Sequence, residues 1–183
     1  GIDVGGPEEP RGVAVLLHPD PRMGGTRHHP LVDDLWRRLP DRDVAAVRFD
    51  FEGVDPGRSV AQVVAALDAA SERWPGRPVV LVGYSFGAGI ASQVDDERVV
   101  GWFLVAPQAG RLSGSPLAVD ERPVAIVVPA EDQFSPPDDI RAATDGWSTT
   151  TVEVVEGDHF LAESIEGIVS SCVDWTSTVV ATG

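Results

Sequence analysis

The chain has 183 residues, 43% hydrophobic, 23% charged and 7% aromatic, a composition expected of one ordinary globular domain that builds a full core without disulfides or a structural metal. A lone cysteine, Cys172, excludes an intrachain disulfide, and four histidines are too few for the usual zinc patterns. All 14 bases are arginine and 29 acids bring the net charge to −15, which disfavours nucleic acid and anionic membranes, since both repel a surface of this sign.

In chain order, six short β-branched runs read as strands: Val13–Leu17, Val44–Phe49, Val79–Val82, Val100–Val105, Val124–Val128 and Val152–Val155. Most are continuous apolar runs, as expected for parallel strands buried on both faces. Between and after them, Leu31–Leu39, Val60–Trp74, Phe86–Val94, Pro137–Thr144 and Leu161–Val180 read as helices. The alternation predicts an α/β fold, a three-layer sandwich with helices on both faces of a mainly parallel sheet, over residues 1–183 as a single domain. Pro107 to Pro123 reads as one irregular connection, too short for an inserted cap domain.

The acids are unevenly spread: residues 123–183 hold 11 acids against one arginine, an acidic surface that serves solubility or steers a substrate. No run of 18 apolar residues is present. The chain opens on Gly1 rather than methionine, which leaves a removed leader open, and the cytoplasm is the expected compartment.

Gly83-Tyr84-Ser85-Phe86-Gly87 matches G-x-S-x-G directly after an apolar strand and before a helical segment. A sharp strand-to-helix turn presents the serine hydroxyl above the sheet, and only very small residues two before and two after let the chain turn that tightly. A serine needs a base and an orienting acid. His159 is placed for the base, in the loop after the last strand, and Asp132 for the acid, after Val124–Val128, with the adjacent Glu131 as its alternative. All three positions fall on the same edge of the sheet. The competing structural readings are a tight turn with an incidental serine and a surface-loop histidine. Asp158 reads as a loop-capping aspartate, His18 as a structural hydrogen-bonding residue, and the neighbours His28 and His29 do not converge on a metal. Cys172 and the five tryptophans read as packing residues.

The order Ser85, Asp132, His159 is that of the α/β-hydrolases, and the chain resembles that superfamily. Within it, the sequence looks like a small, lidless, dienelactone-hydrolase-like subgroup. The likeness is carried by His18-Pro19-Asp20-Pro21 with Gly24-Gly25-Thr26, by Arg48-Phe49-Asp50-Phe51-Glu52-Gly53-Val54, by Gly83–Gly87 and by Gly157-Asp158-His159-Phe160. Asp20 stands where the subgroup usually carries a second histidine. The resemblance implies an α/β-hydrolase fold and an oxyanion hole built from the Phe86 N–H and a donor of the loop after the first predicted strand. Pro19 and Pro21 lack an N–H, so the Asp20 backbone is the first candidate and Met23 the second. The expected function is serine-hydrolase cleavage of an ester, thioester or amide of a small or accessible acyl substrate, without cofactor or metal. The alternatives are a non-catalytic binding module on the same fold and an acyltransferase using the same serine.

Overall fold

A computed structural model describes residues 1–182. Seven strands form one sheet in the order β1-β3-β2-β4-β5-β6-β7, from β1 (Ile2–Gly5), β2 (Gly12–Leu17), β3 (Val44–Phe49), β4 (Val79–Tyr84), β5 (Val99–Val105), β6 (Val124–Glu131) and β7 (Thr150–Asp158). Every pairing is parallel except that of β1 with β3. Helices α1 (Pro30–Arg38), α2 (Pro56–Arg73), α3 (Phe86–Ala91), α4 (Ala109–Leu112), α5 (Pro137–Ala143) and α6 (Ile165–Val180) complete the three layers.

The period-two alternation of a strand divides its apolar residues between two cores. Val13, Val15 and Leu17 of β2 face α2 and α3, whereas Ala14 and Leu16 face α1 and α6. Burial on both faces is why these strands are apolar without alternation. Helix starts follow local chemistry: Asp55 caps α2 by accepting the Arg58 N–H at 2.8 Å, with Pro56 as its first residue.

All six predicted strands are present, and the sheet adds a seventh, β1. Strand β1 has only Ile2 and Val4 as apolar residues, both 40% exposed, so no hydrophobic run marks it. It exists because Ile2 to Gly5 pair with Phe49 to Ala46. The predicted irregular stretch between β5 and β6 also holds the single-turn α4 and a 3-10 turn at Pro116–Val119. Nothing larger lies there, and among the described residues no cap covers the C-terminal edge of the sheet. Helix α6 begins at Ile165, four residues later than the apolar pattern suggests, because Leu161 adopts φ 64° in a turn whose N–H groups bond back to Asp158.

Arg48, on β3 and only 8% exposed, fastens this edge. Its guanidinium meets Asp3 of β1 at 3.3 Å, pairs with Asp33 of α1 and stacks 4.4 Å over the Trp36 ring. Arg48→Met removes the cation that joins two carboxylates, each about a third exposed, and leaves Asp3 to Arg27 at 3.4 Å and Asp33 to His28 at 3.6 Å. We expect a loss of about 2 kcal/mol, below the value for a fully buried pair because water reaches both acids. In a domain of this size that lowers Tm by about 4–8 °C in a thermal melt.

Candidate active site

In the order of the sheet, β2 and β4 are neighbours although β3 comes between them in the chain, so their C-terminal ends flank a point where the winding reverses. Open α/β sheets bind ligands in the crevice at such a point. The loop Pro19–Gly25 leaves β2 there, and Ser85 leaves β4.

Ser85 has φ 53° and ψ −109°, a conformation costly for a residue with a side chain and one that persists only where the surroundings impose it. Two close approaches impose it here. A Cβ on Gly83 would lie 2.6 Å from the Ala88 nitrogen, and one on Gly87 would lie 2.3 Å from the Leu17 carbonyl oxygen. Both glycines are required by backbone contact, and the turn they permit lifts Ser85 Oγ to 2.8 Å from His159 Nε2.

His159 follows β7 and is buried. Its Nδ1 lies 2.7 Å from Asp132 Oδ2, while Asp132 Oδ1 accepts the N–H groups of Phe134 at 2.9 Å and Ser135 at 3.0 Å. The Asp132 side chain has no exposed surface. Burial pushes its pKa up, but the His159 hydrogen bond and the two amides outweigh burial and hold the carboxyl below its ordinary value. An ionised Asp132 can only accept, so His159 carries its proton on Nδ1 and presents a bare Nε2 to the Ser85 hydroxyl. Of the two adjacent acids, it is Asp132 that reaches the imidazole. Glu131 pairs in register with Asp158 and stays exposed, beside an open acidic depression that also includes Glu156 and Glu163.

Several residues around this relay were not assigned to the site from the sequence. The Tyr84 hydroxyl donates to the His159 carbonyl at 2.6 Å and so pins the loop that carries the imidazole; burial raises the pKa of the phenol, which stays a donor. Phe134 and Phe160 set their rings edge-on to His159, at 4.7 and 5.9 Å between centroids, while keeping more than half of their surface exposed. His29 faces the site from the start of α1. Only its neighbour in space reveals that, because the helix cap turns the ring inward. His28 turns the other way and sits 3.6 Å from Asp33.

The loop after β2 is held by His18, whose Nε2 accepts the Phe51 N–H at 2.9 Å and whose Nδ1 donates to the Pro19 carbonyl at 2.6 Å. With both nitrogens committed, the ring is neutral, and burial keeps its pKa below the ordinary value. The Asp20 carboxylate turns to Arg22, with Oδ2 2.6 Å from Nη2, and that hydrogen bond depresses its pKa. Its charge is therefore partnered. The Met23 N–H donates to the Asp20 carbonyl at 3.0 Å, which removes the second of the two oxyanion candidates. Among the described residues the Asp20 and Phe86 N–H groups have no acceptor; Phe86 opens α3, where the first amides lack helical partners. A pocket of about 100 Å³ lies at Ser85 between this loop, His29, Tyr84 and Phe160. No cluster of three metal-ligating side chains occurs among the described residues. Cys172 is buried in α6, its thiol pushed up to about 12 by burial.

Comparison with known proteins agrees with this architecture. A segment of 91 residues is 32% identical to an uncharacterised protein of Rickettsia prowazekii, covering 45% of this chain and 38% of that relative's length. A protein of unknown function from Agrobacterium tumefaciens superposes with a TM-score of 0.85 at 23% identity, over 96% of this chain and 88% of the other. An alpha-beta serine hydrolase homologue from Coxiella burnetii gives 0.82 at 25% identity, over 94% and 89%. The alpha/beta hydrolase family profile matches residues 14–166, which takes in the elbow, the acid loop and the histidine loop alike: this chain belongs to the alpha/beta hydrolase family.

Proposed function

We propose that the chain is a serine hydrolase cleaving carboxylic esters of short, accessible acyl substrates through Ser85, His159 and Asp132. The observation that carries this reading is the continuous relay from Ser85 Oγ to His159 Nε2 at 2.8 Å and from Nδ1 to Asp132 at 2.7 Å, built on a strained serine. His159 takes the Ser85 proton as Oγ attacks the carbonyl, Asp132 stabilises the imidazolium, and the unpaired Phe86 and Asp20 amides receive the oxyanion. His159 then protonates the leaving alcohol, and water activated by the same ring hydrolyses the acyl-enzyme. A thioester or amide would follow the same steps. No step draws on a cofactor or metal. The partner is a small acyl molecule, with nucleic acid and anionic membranes disfavoured by the −15 charge, and the compartment we propose is the cytoplasm; no helix among the described residues is long and apolar enough to cross a membrane.

The test is reaction with a fluorophosphonate probe and peptide mapping. We expect one labelled peptide carrying Ser85 and none in Ser85→Ala. Folded protein that stays unlabelled between pH 6 and 9 would sink the hydrolase reading in favour of a binding module. Transfer to an added alcohol that outruns hydrolysis would make the protein an acyltransferase.

A further inference from the structure

The pocket at Ser85 contains a polar group that the proposed reaction does not use. His29 caps α1: its Nδ1 accepts the Leu31 N–H at 3.3 Å. That bond assigns the lone pair to Nδ1 and the proton to Nε2. The ring is held against Tyr84, 5.1 Å between centroids, and lines the pocket with Ser85 and His159. Among the described residues Nε2 has no hydrogen-bond partner. Burial, and after it the nearby His18, hold the imidazole pKa below its ordinary value, so at neutral pH the group is an uncharged donor in a fixed tautomer.

We propose that His29 is a specificity-determining residue of this site: its Nε2–H selects substrates whose pocket-bound segment is short and carries a hydrogen-bond acceptor such as an alkoxy, hydroxyl or keto oxygen. The proposal rests on the hydrolase reading above. Size argues for a short segment, since the space at Ser85 is only about 100 Å³, less than the roughly 150 Å³ of a cavity that holds benzene. Chemistry argues for an acceptor, because Met23, Tyr84 and Phe160 contribute mainly apolar surface, Tyr84's hydroxyl is spent on the His159 carbonyl, and His29 is left as the free side-chain donor. An apolar segment filling the pocket strips water from Nε2–H without replacing it.

The test uses isosteric ester pairs that differ only by an ether oxygen for a methylene: p-nitrophenyl methoxyacetate against butyrate, p-nitrophenyl 3-methoxypropionate against pentanoate, and 2-methoxyethyl acetate against butyl acetate. Each ratio of kcat/KM is divided by the ratio for hydroxide-catalysed hydrolysis, which removes intrinsic reactivity. We expect the oxygenated member to be preferred about five- to tenfold in the pair that places its oxygen at Nε2, the scale of one neutral hydrogen bond. His29→Ser and His29→Asp both keep a side-chain oxygen for the Leu31 N–H, so the helix cap stands, and in both the ratio should fall to about one. A wild-type ratio of one in all three pairs, or a preference that survives in both variants, overturns the proposal while leaving hydrolysis intact. Absence of turnover with every ester, together with absence of Ser85 labelling, would fell the hydrolase reading and this proposal with it.

Discussion

Ser85→Ala should lower kcat on any ester that the protein cleaves by about 10⁵- to 10⁶-fold, the scale seen when the nucleophile of a serine hydrolase is deleted. Alanine has the same Cβ as serine, so the elbow geometry is retained and only the hydrogen bond to His159 Nε2 is removed. The backbone at φ 53° stays equally strained in this variant, and its thermal midpoint should change little. Ser85→Gly separates strain from chemistry. Glycine adopts positive φ freely, so this second variant should be as inactive as the first yet more stable, by about 1 kcal/mol. Ester turnover and a thermal melt on both variants check the argument. Ser85→Ala turning over at more than a hundredth of the wild-type rate would mean that another group is the nucleophile.

Asp132→Asn should cost about 10⁴-fold in kcat at neutral pH with little change in substrate binding. The reason lies in which atoms the carboxylate already serves. Oδ1 accepts two backbone N–H groups, from Phe134 and Ser135, and in the amide only the carbonyl oxygen can do that. The new NH₂ then faces His159, where Oδ2 accepted before, and the imidazole must offer a lone pair at Nδ1. Its proton moves to Nε2, and the ring no longer receives the Ser85 hydroxyl proton. Glu131→Gln, one residue away but exposed, should stay within about twofold of wild type, and a large loss there would assign the acid to the wrong carboxylate. The acid limb of stability carries the same signature. Because the folded Asp132 pKa lies below its unfolded value of about 3.9, the carboxylate contributes stability that is complete above the unfolded value and is lost as pH falls through the depressed folded one.

These expectations draw on two kinds of information. The alternation of strands and helices was legible from residues alone, because strands buried on both faces must be apolar throughout: the predicted Val44–Phe49 coincides with the observed strand, and the other five lie within theirs. The elbow was legible for an equally local reason, since Gly83 and Gly87 stand where any Cβ would meet backbone at 2.6 and 2.3 Å. Tertiary structure decided what depends on neighbours distant in sequence. Strand β1 has no hydrophobic run of its own and exists through its pairing with β3 and the Arg48 cluster. The adjacent acids Glu131 and Asp132 are separated by the register of β6 on β7, which sends one outward and leaves the other to the backbone amides that aim it at His159. Met23 left the oxyanion candidates through a hydrogen bond within its own turn, and His29 entered the pocket through a helix cap and the Tyr84 ring. Backbone strain and burial are written in residue type, whereas the direction of a polar side chain is set by the partner that folding brings to it.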